Sequence, residues 1–373
     1  MKKKIGVLTF HRSLNYGAVL QAYGLVKTIE KLNYEAEIID YRNNELEKRD
    51  SFKRFYSTKG FVRSAFQIIE SPMWFIRRKR FDDFLETIGI SNKLVGGIDT
   101  KSAQQYSKIV VGSDQVWNYR VTDSDSNYLL GEITDHFKKA SYAASFGISD
   151  IPNEKKGMYS KYLKSFNSIS VREPAGANIV MEMGLDKPQV VIDPSLLLTK
   201  NEWLEVANKS NKKYVKPGQK YLVIYQRAFS KTLVEFAKKL AEIKNIEIVT
   251  INGNPRQPLK AIYVQTAGPS EWLDIINNAE YVITNSFHGV ALSLNLNKEL
   301  YVELLDEKFG VNSRLENIID IFKIKSRVIN NVNFGKEEKV NYTEVNELMF
   351  KYRKESLVYL SSALDKGNLV VNE

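Results

Sequence analysis

Short runs of β-branched and aromatic residues alternate with stretches of helical periodicity along the whole chain, and this alternation restricts the fold more than any other feature. The runs predict strands at residues 4–10, 36–41, 109–111, 140–145 and 169–171, and a second series at 189–192, 221–225, 246–251, 261–265, 281–284 and 300–303. Nearly continuous apolar strands alternating with amphipathic helices indicate parallel sheets covered by helices on both faces. We therefore expect an α/β protein.

The strand series starts twice, which indicates two domains. A chain of 373 residues accommodates two domains of about 150 residues each. Several proline and glycine residues between Gly184 and Gly218 mark the boundary region. We predict doubly wound, Rossmann-like domains over residues 1–185 and 186–335, facing each other across a cleft. The segment at residues 336–373 is predicted to be helical and to pack back on the body. Ligands in such sheets bind beyond the carboxyl ends of the strands.

Composition narrows the functional classes. The formal charge is +10, which suits an anionic substrate or surface, but the lysines are spread along the chain and no nucleic-acid-binding motif is present. There is no cysteine, so disulfides and thiolate metal sites are excluded. The apolar run at residues 5–10 is too short for a signal peptide, and no run reaches the length of a spanning helix. We expect a cytoplasmic protein that does not bind nucleic acid.

Two strand ends in the first half carry polar residues in tight turns. The first predicted strand leads into Asn15-Tyr16-Gly17, where Asn15 is a good helix N-cap and Gly17 allows close approach of a ligand to the backbone. The strand at 109–111 leads into Gly-Ser113-Asp114-Gln115, which would place Asp114 in the cleft. Asp114 then accepts hydrogen bonds from a sugar or orients a base, and capping of the next helix is the equally open alternative.

Arg172 ends the last strand of the first half, in Ser-Val-Arg-Glu. Its planar guanidinium matches the geometry of carboxylate or phosphate oxygens. A simple ion pair with Glu173 or another nearby acid is the competing interpretation.

The turn at residues 284–289, Thr-Asn-Ser-Phe-His-Gly, is the strongest local signal. Val290 and Leu294 follow at helical spacing, so His288 lies at or near a helix N-terminus. The positive end of the helix dipole disfavours an imidazolium there, and a bound dianion would restore the proton. Gly289 would leave the backbone accessible. A purely structural histidine remains the alternative.

The remaining candidates support or compete with His288. His11 has a weaker setting of the same kind, and His136 lies in a charged stretch. Arg314 opens a further helix after Phe-Gly-Val-Asn-Ser, with Asn312 or Ser313 as its cap. The segment at residues 73–81 joins aromatic residues to a basic cluster; it fits an anionic membrane surface or, alternatively, a helix with buried aromatics and a solvated basic face.

These motifs, in this order, resemble the polysaccharide pyruvyl transferase family over residues 4 to about 320. The motifs are Asn-Tyr-Gly-Ala-Val-Leu-Gln-Ala-Tyr, Val-Gly-Ser-Asp-Gln-Val-Trp-Asn, Ser-Val-Arg-Glu and Asn-Ser-Phe-His-Gly. The resemblance implies a GT-B-like fold, as in metal-independent glycosyltransferases, with no metal and no cofactor. It also implies transfer of pyruvate from phosphoenolpyruvate to a sugar of a surface polysaccharide, or of its lipid-linked precursor, as a ketal.

The resemblance also implies roles for individual residues. It places the family arginine on Arg172, the family histidine on His288 and, less directly, a second arginine on Arg314, although the usual Arg-Asp is Arg-Glu here. We interpret His288 as the general acid. The expected donor-side residues are Arg172, Arg314, Ser286 and Gly289. The expected acceptor or cleft residues, on the N-terminal side, are Asn15, Tyr16, Gly17, Ser113, Asp114 and Gln115.

Two other functions stay open at this stage. One is a GT-B-type glycosyltransferase that uses a nucleotide sugar, with the arginines meeting a diphosphate. The other is a non-catalytic protein that binds glycans or anions. Peripheral contact with the inner face of the membrane also stays open, and the sequence leaves the acceptor sugar and the oligomeric state undetermined.

Overall fold

The computed structural model describes residues 2–50, 61–94, 96–253, 259–305, 312–332, 334–335 and 338–366. Its strands are β1 Lys4–Leu8, β2 Glu35–Ile38, β3 Lys108–Val111, β4 Lys139–Ser141, β5 Ser170–Val171, β6 Gln189–Val190, β7 Tyr221–Tyr225, β8 Glu247–Ile251, β9 Ile262–Val264, β10 Tyr281–Thr284 and β11 Glu299–Val302. Its helices are α1 Tyr16–Lys31, α2 Asn44–Asp50, α3 Phe61–Glu86, α4 Tyr119–Thr122, α5 Asn153–Leu163, α6 Pro174–Glu182, α7 Lys200–Ala207, α8 Lys231–Lys244, α9 Pro269–Asn278, α10 Phe287–Asn295, α11 Ser313–Ile321 and α12 Tyr342–Asp365.

The chain folds into two compact units. The first comprises Met1–Lys59, Leu85–Leu198 and Lys351–Glu373, and the second comprises Gly60–Phe84 and Thr199–Phe350. Every strand pairing in the described part of the chain is parallel. Because strands and helices alternate and the sheets are parallel, the predicted α/β class is confirmed.

The first unit contains a four-stranded sheet in the order β2-β1-β3-β4. A two-stranded sheet of β5 and β6 continues it through isolated parallel bridges from Ala140 to Ser168 and from Ala144 to Val171. The residues of β3 are all buried, as expected for a strand covered on both faces. The core beneath the sheet includes Trp117, which is 1% exposed and packs on Phe146.

The second unit contains a five-stranded sheet in the order β11-β10-β7-β8-β9. β7 lies at its centre and is buried throughout. The register pairs Tyr225 of β7 with Thr284 of β10, so these two strands end level with each other. This alignment brings the turn after β7 next to the turn that carries His288.

The observed division differs from the predicted boundary at residue 185, because residues 186–198 remain with the first unit. β6 pairs with β5, and Asp193 forms an ion pair with Arg172. The guanidinium of Arg353 donates hydrogen bonds to the carbonyls of Leu196 and Leu198. These contacts hold the segment in place beyond the predicted boundary.

The C-terminal helix α12 contributes to both units, whereas the sequence predicted a separate segment over residues 336–373. Its first part, through Phe350, belongs to the second unit, where the Tyr342 hydroxyl donates to the Lys298 carbonyl. Its later part packs on the first unit, where Tyr359 donates to the carbonyl of Ser141. No helix in the described ranges has the length and apolar character needed to cross a membrane.

Candidate functional site

The carboxyl ends of β3 and β5 bring Ser113, Asp114 and Arg172 together in the first unit. Arg172 follows β5, is 2% exposed, and donates through Nη1 to Asp193 Oδ2 at 2.7 Å. The same guanidinium nitrogen lies 3.3 Å from the Ser113 hydroxyl, which itself donates to Asp193 at 2.8 Å. The sequence analysis did not identify Asp193, although it follows β6 at the same edge of the sheet.

Three buried carboxylates surround the single guanidinium of Arg172. Besides Asp193, its Nη2 lies 4.0 Å from Asp114 and its Nε lies 3.7 Å from Glu173. Burial lowers the pKa of Arg172, but the three carboxylates outweigh that effect and raise it. The cluster therefore holds Arg172 cationic, and its own acids already neutralise that charge.

Glu173 is not the residue that orients Arg172. Its Oε1 accepts hydrogen bonds from the Ser145 hydroxyl at 2.7 Å and from the backbone amide of Gly147 at 3.3 Å. The resemblance implies an aspartate at this position, and the longer glutamate found here reaches the 145–147 loop. Asp193 makes the close contact to the guanidinium instead.

Asp114 has a backbone conformation that is uncommon for a residue with a side chain. Its φ is 72°, in the left-handed region, which costs on the order of 1–3 kcal/mol. Its carbonyl accepts from Val116 and Ser145, and its Oδ1 accepts from the amide of Gln115. These contacts hold the strained conformation at the strand edge, where Asp114 is 6% exposed, and such strain clusters at ligand sites. Gln115 itself accepts a hydrogen bond from Asn118 at 2.7 Å.

The turn after β1 is built mainly from local interactions. Asn15 caps α1, as predicted, because its Oδ1 accepts from the amide of Gly17 at 3.2 Å. Tyr16 is fully buried, at 0% exposure, and its expected place on the acceptor side stays a prediction. Gly17 is also buried, and its amide is directed to Asn15. The partly exposed Asn15 is the member of this group nearest to solvent.

His11 forms a buried pair with Asp40 close to this turn. Its Nε2 lies 3.0 Å from Asp40 Oδ1, and its Nδ1 lies 3.1 Å from the carbonyl of Thr9. Burial alone would raise the pKa of Asp40, but hydrogen bonds and charge from His11 and Arg42 hold it well below its usual range. His11 is 2% exposed, and its two ring nitrogens are both engaged in these contacts, which support the turn.

In the second unit, β10 ends directly before helix α10, which carries His288. Ser286 is the N-cap of α10, and its side chain accepts from the amide of Gly289 at 3.4 Å. His288 therefore lies in the first turn of the helix, as predicted, and is 5% exposed with its ring edge-on to Phe287. This position gives the imidazole the field of the helix N-terminus.

Gly289 has a packing role, and the expectation that it leaves its backbone accessible to a ligand stays a prediction. The residue is buried, and an added Cβ would lie only 3.1 Å from Cβ and Cγ2 of Thr284, with Oγ1 closer still. Thr284 cannot easily yield, because its hydroxyl donates to the carbonyl of Tyr225 at 2.5 Å and accepts from the amide of Ser286 at 3.0 Å. Glycine thus lets α10 approach β10.

Asn285 and Glu303 connect three strand ends in the second unit, and the sequence analysis did not identify either residue. The Asn285 side chain accepts from the amide of Arg227 at 2.8 Å and donates to the Ala228 carbonyl at 2.8 Å. It also donates to Glu303, just after β11, at 3.2 Å. Glu303 further accepts from the hydroxyl of Ser230. The turns after β7, β10 and β11 therefore form one hydrogen-bonded group.

Arg314 lies in the first turn of α11, which packs against α10. The side chain is partly exposed. Asn312 occupies the cap position without a side-chain cap bond, since its amide group pairs with both backbone groups of Leu305. The preceding residues 306–311, which include the predicted Phe-Gly-Val, lie outside the described residues. Arg172 belongs to the first unit, whereas His288 and Arg314 belong to the second.

The basic aromatic segment at residues 73–81 is part of α3. Phe75 and Ile76 are 54% and 47% exposed, whereas Phe81 is buried. Arg78 and Lys79 pair with Asp82 and Asp83 one turn along the helix. The segment therefore combines a solvated charged face with two exposed apolar side chains.

A groove of about 620 Å³ opens elsewhere in the first unit. It is lined by residues 166–169, which precede β5, by residues 186–189, which lead into β6, and by the last turns of α12. These are the amino ends of the two strands, opposite the edge that carries Arg172. Parallel sheets bind ligands at the other edge, so this groove does not mark the candidate site. In the part of the chain that the structure describes, no group of three or more acidic or histidine side chains is arranged to hold a metal ion.

Comparison with solved structures identifies the class of fold. An α-glucosyltransferase in complex with UDP and DNA is similar to this chain with a TM-score of 0.51 at 9% identity, covering 98% of this chain and 100% of that chain. UDP-GlcNAc 2-epimerases from Neisseria meningitidis and Methanocaldococcus jannaschii reach TM-scores of 0.48 and 0.47, at 10% and 13% identity, and each alignment covers 95% of this chain and 99% and 100% of the other. The glucosyltransferase likeness shows a GT-B-type fold with two Rossmann-like units.

Within that class, the sequence defines a family. The family model for polysaccharide pyruvyl transferases matches residues 15–302. The chain therefore belongs to the polysaccharide pyruvyl transferase family, as the motifs indicated. This membership assigns it to the transferases of polysaccharide pyruvylation. No curated protein sequence matches the chain significantly.

Proposed function

We propose that the protein transfers the enolpyruvyl group of phosphoenolpyruvate to a sugar of a surface polysaccharide, or of its lipid-linked precursor, and forms a pyruvate ketal. Family membership supports pyruvyl transfer in general. The observation that carries the specific proposal is the position of His288 in the first turn of α10, beyond the carboxyl end of β10. A helix N-terminus attracts an anionic donor, and the donor's charge in turn favours a protonated imidazole.

His288 acts in this proposal as the general acid. It delivers a proton to the methylene carbon of phosphoenolpyruvate, and the adjacent carbon becomes oxocarbenium-like. A sugar hydroxyl oxygen bonds to that carbon and loses its proton; the carbon–oxygen bond to phosphate then breaks. A second sugar hydroxyl closes the ketal ring and releases its proton in turn, so the products are the ketal and inorganic phosphate. Positioned acid catalysis contributes roughly 10²–10⁴-fold.

The other expected site residues take supporting roles. We assign Arg314 to the donor side, because it opens the helix that packs on α10. We assign Asp114 to the acceptor side, where its strained position at the end of β3 suits a hydrogen bond from a sugar hydroxyl. Arg172 remains a proposed donor-binding residue. To bind the donor, its guanidinium must first give up its ion pair with Asp193. The proposed route uses no metal or organic cofactor.

The proposed setting is the cytoplasm, where phosphoenolpyruvate is available. A lipid-linked acceptor would bring the protein to the inner face of the membrane. The exposed Phe75 and Ile76 beside the basic residues of α3 are the feature that supports peripheral contact there.

The test is incubation of the purified protein with phosphoenolpyruvate and a panel of lipid-linked or synthetic glycosides. We expect a mass gain of one pyruvyl group on the acceptor and release of an equal amount of phosphate. The variant His288→Gln should lose transfer while retaining donor binding. His136→Gln changes an exposed histidine and serves as the matched control. Near-normal transfer by His288→Gln, with unchanged donor affinity, would contradict the assignment.

A nucleotide-sugar glycosyltransferase is the second candidate, because the glucosyltransferase with the same fold was solved with UDP. Thermal-shift measurements separate the two functions, since a ligand that binds only the native state raises its stability. Stabilisation by phosphoenolpyruvate supports pyruvyl transfer. Stabilisation by a uridine or guanosine diphosphate sugar, with no response to phosphoenolpyruvate, supports the alternative. A non-catalytic anion-binding protein would bind phosphoenolpyruvate and release no phosphate with any acceptor.

A further inference from the structure

The groove at the amino ends of β5 and β6, which we call the α12 groove, has a volume of about 620 Å³. Because Ser170 pairs with Gln189 in the parallel register, the residues that lead into the two strands run side by side and form one wall. The last turns of α12 form the other wall. All of these segments belong to the first unit, and the volume lies within the range of roughly 300–1,000 Å³ that small-ligand sites occupy.

Two polar side chains in the strand wall have no hydrogen-bond partner among the described residues. Ser168 is 6% exposed, and its hydroxyl has no partner, although its carbonyl accepts from the amide of Ser141 at 3.0 Å. The side-chain oxygen of Asn167 is in the same state, although its backbone amide donates to the carbonyl of Lys139 at 2.9 Å. Both residues line the α12 groove. Because buried polar groups in proteins nearly always have a partner, these two are candidates for contact with a ligand.

The side chains around the α12 groove carry an excess of positive charge. Lys164, Lys187 and Lys366 line it, together with the single carboxylate of Asp186. In the part of the chain that the structure describes, these three lysines form no salt bridge. All three are exposed, so their ammonium groups are accessible to an anionic ligand.

Lys108 offsets the negative end of α12 at this groove. The carboxyl end of a helix repels an anion, because the last carbonyls carry partial negative charge. The buried ammonium of Lys108 donates to the carbonyls of Ala363 and Lys366 at 2.7 and 2.6 Å, and so brings a positive charge to this end. Asp365 adds a carboxylate in the same turn. The four lysines of the groove and helix end thus outnumber the two carboxylates, Asp186 and Asp365.

We propose that the α12 groove is a second, non-catalytic site that binds an acidic segment of the polysaccharide. Sugar carboxylates would meet the lysines, and sugar hydroxyls would bond to the polar strand wall. Family membership implies a polysaccharide acceptor, and a polymer is long enough to contact the protein away from the reacting sugar. The groove lies opposite the sheet edge that carries Arg172, so a segment bound there leaves that edge open.

The proposed function supplies one source of the required charge. A pyruvate ketal keeps the carboxylate of pyruvate, so a segment that has already been modified is an acidic ligand. This identification of the carboxylate rests on the proposed function. A uronic acid in the polymer would supply the same chemistry without it.

The test uses the full chain and calorimetric titration with short oligosaccharides that carry a uronic acid or a pyruvate ketal. Their neutral counterparts and inorganic phosphate are the comparison probes. We expect the acidic oligosaccharides to bind most tightly, and their binding to weaken as the salt concentration rises. Lys187→Gln and Lys366→Gln should each raise Kd about two- to fivefold, and the double variant about tenfold, because each removes one exposed charge interaction. Lys354→Gln is the matched control, since Lys354 is exposed on α12 outside the groove.

Ser168→Ala tests the polar wall separately from the charges. We expect it to raise Kd for the acidic oligosaccharides and to leave Tm unchanged or higher, because its hydroxyl has no partner to lose within the described residues. A lower Tm with an unchanged Kd would show that the hydroxyl serves the fold, and would overturn its place in the site.

Three results would overturn the inference: no binding of any acidic probe, equal binding of acidic and neutral oligosaccharides, or an unchanged Kd in the double lysine variant. Phosphate that binds as tightly as the acidic oligosaccharides would overturn the assignment to a glycan. Displacement of the oligosaccharide by phosphoenolpyruvate would place it at the catalytic site instead, whereas His288→Gln should leave its Kd unchanged.

Activity separates this inference from the proposed function. If the groove binds acidic oligosaccharides but no pyruvyl group is transferred to any acceptor, the groove site stands and the proposed function fails. With an active acceptor, the double lysine variant should raise KM for a polymeric acceptor and leave KM for a monosaccharide acceptor unchanged. An equal rise for both acceptors would place the lysines at the catalytic site and overturn the inference.

Discussion

Replacement of Arg172 by methionine tests whether this family arginine serves the donor or the fold. The substitution removes the cation from a site where Asp193 lies at 2.7 Å, Glu173 at 3.7 Å and Asp114 at 4.0 Å. Two unit charges 4 Å apart interact by about 4 kcal/mol at an effective dielectric constant near 20. Part of that energy is returned, because the arginine no longer has to be desolvated. Removing one partner of a buried ion pair costs roughly 3–5 kcal/mol in total.

We therefore expect Arg172→Met to lower the free energy of unfolding of the first unit by roughly 3–5 kcal/mol. For a unit of 150–250 residues, each kcal/mol changes Tm by about 2–4 °C, so the expected fall is roughly 6–20 °C. Scanning calorimetry measures it directly. Arg120→Met is the matched control, because Arg120 is exposed in the same unit, and its effect should stay within about 0.5 kcal/mol. A loss below about 1 kcal/mol in Arg172→Met would refute the account of the cluster.

The dependence on pH gives a second, independent measure of the same cluster. In Arg172→Met the folded state retains three buried carboxylates without their cation and gains by binding protons. Because the folded state then binds more protons than the unfolded state, stability falls as the pH rises. The deficit relative to the wild type should thus be larger at pH 8 than at pH 5. Asp193→Asn in the Arg172→Met background should recover part of the loss, and an additive double variant would show that the two side chains are not coupled.

Three further substitutions test separate parts of the structure. Gly289→Ala should destabilise the second unit by about 1–3 kcal/mol, because the added methyl group meets Thr284. Gly157→Ala in α5 is the control: its methyl group has open space, and the variant should be more stable by about 0.5–1 kcal/mol. Unchanged stability in Gly289→Ala would contradict the close packing. Burial lowers the pKa of Lys108 to about 8, so between pH 8 and its ordinary value the unfolded state binds more protons and the wild type gains stability with rising pH. In urea titrations the difference between wild type and Lys108→Met should therefore shift in favour of the wild type from pH 7 to pH 9.5, and a constant difference would count against a buried Lys108. Asp40→Asn should lose stability, and the loss should be fully present near neutral pH and shrink as the pH falls below about 4. The reason is that folding lowers the pKa of Asp40, so the folded state favours the charged carboxylate. A loss that grows in acid would contradict this prediction.

The eleven strands of the described residues could be located from the sequence, because runs of β-branched and apolar residues mark them. The signal is clearest for strands buried on both faces, such as β3 and β7, whereas β6 is exposed. Their ends were less predictable. The run at 140–145 gives a strand that stops at Ser141, since Ala143 takes a φ of 51° and the following residues turn towards Asp114. Apolar composition continues through this turn, so periodicity could not detect it.

The unit boundary and the site contacts depend on residues that are distant in the chain. Arg172 and Asp193 are 21 residues apart, and Asp114 meets the same guanidinium from another strand. Periodicity reports only neighbours within a few residues, so it finds the turn that presents Arg172 and not the acids that neutralise it. The same reason explains why Glu303 and Asn285 escaped notice: their significance arises only when β7, β10 and β11 lie side by side.

The charges around Arg172 decide whether this arginine is suited to hold a dianionic donor. Around Arg172, one cation faces three carboxylates, so a dianion there would have to displace Asp193 while two further acids repel it. Around His288, the start of α10 contributes positive potential, and Glu303 brings one carboxylate to the neighbouring strand end. Arg172→Lys separates the two cases, because it keeps the charge of the cluster and loses only the guanidinium geometry. If Arg172 serves the fold, this variant lowers Tm and leaves KM for phosphoenolpyruvate unchanged at temperatures well below the transition. If Arg172 clamps the donor, KM rises at every temperature, and the donor must then carry enough binding energy to break the Asp193 pair.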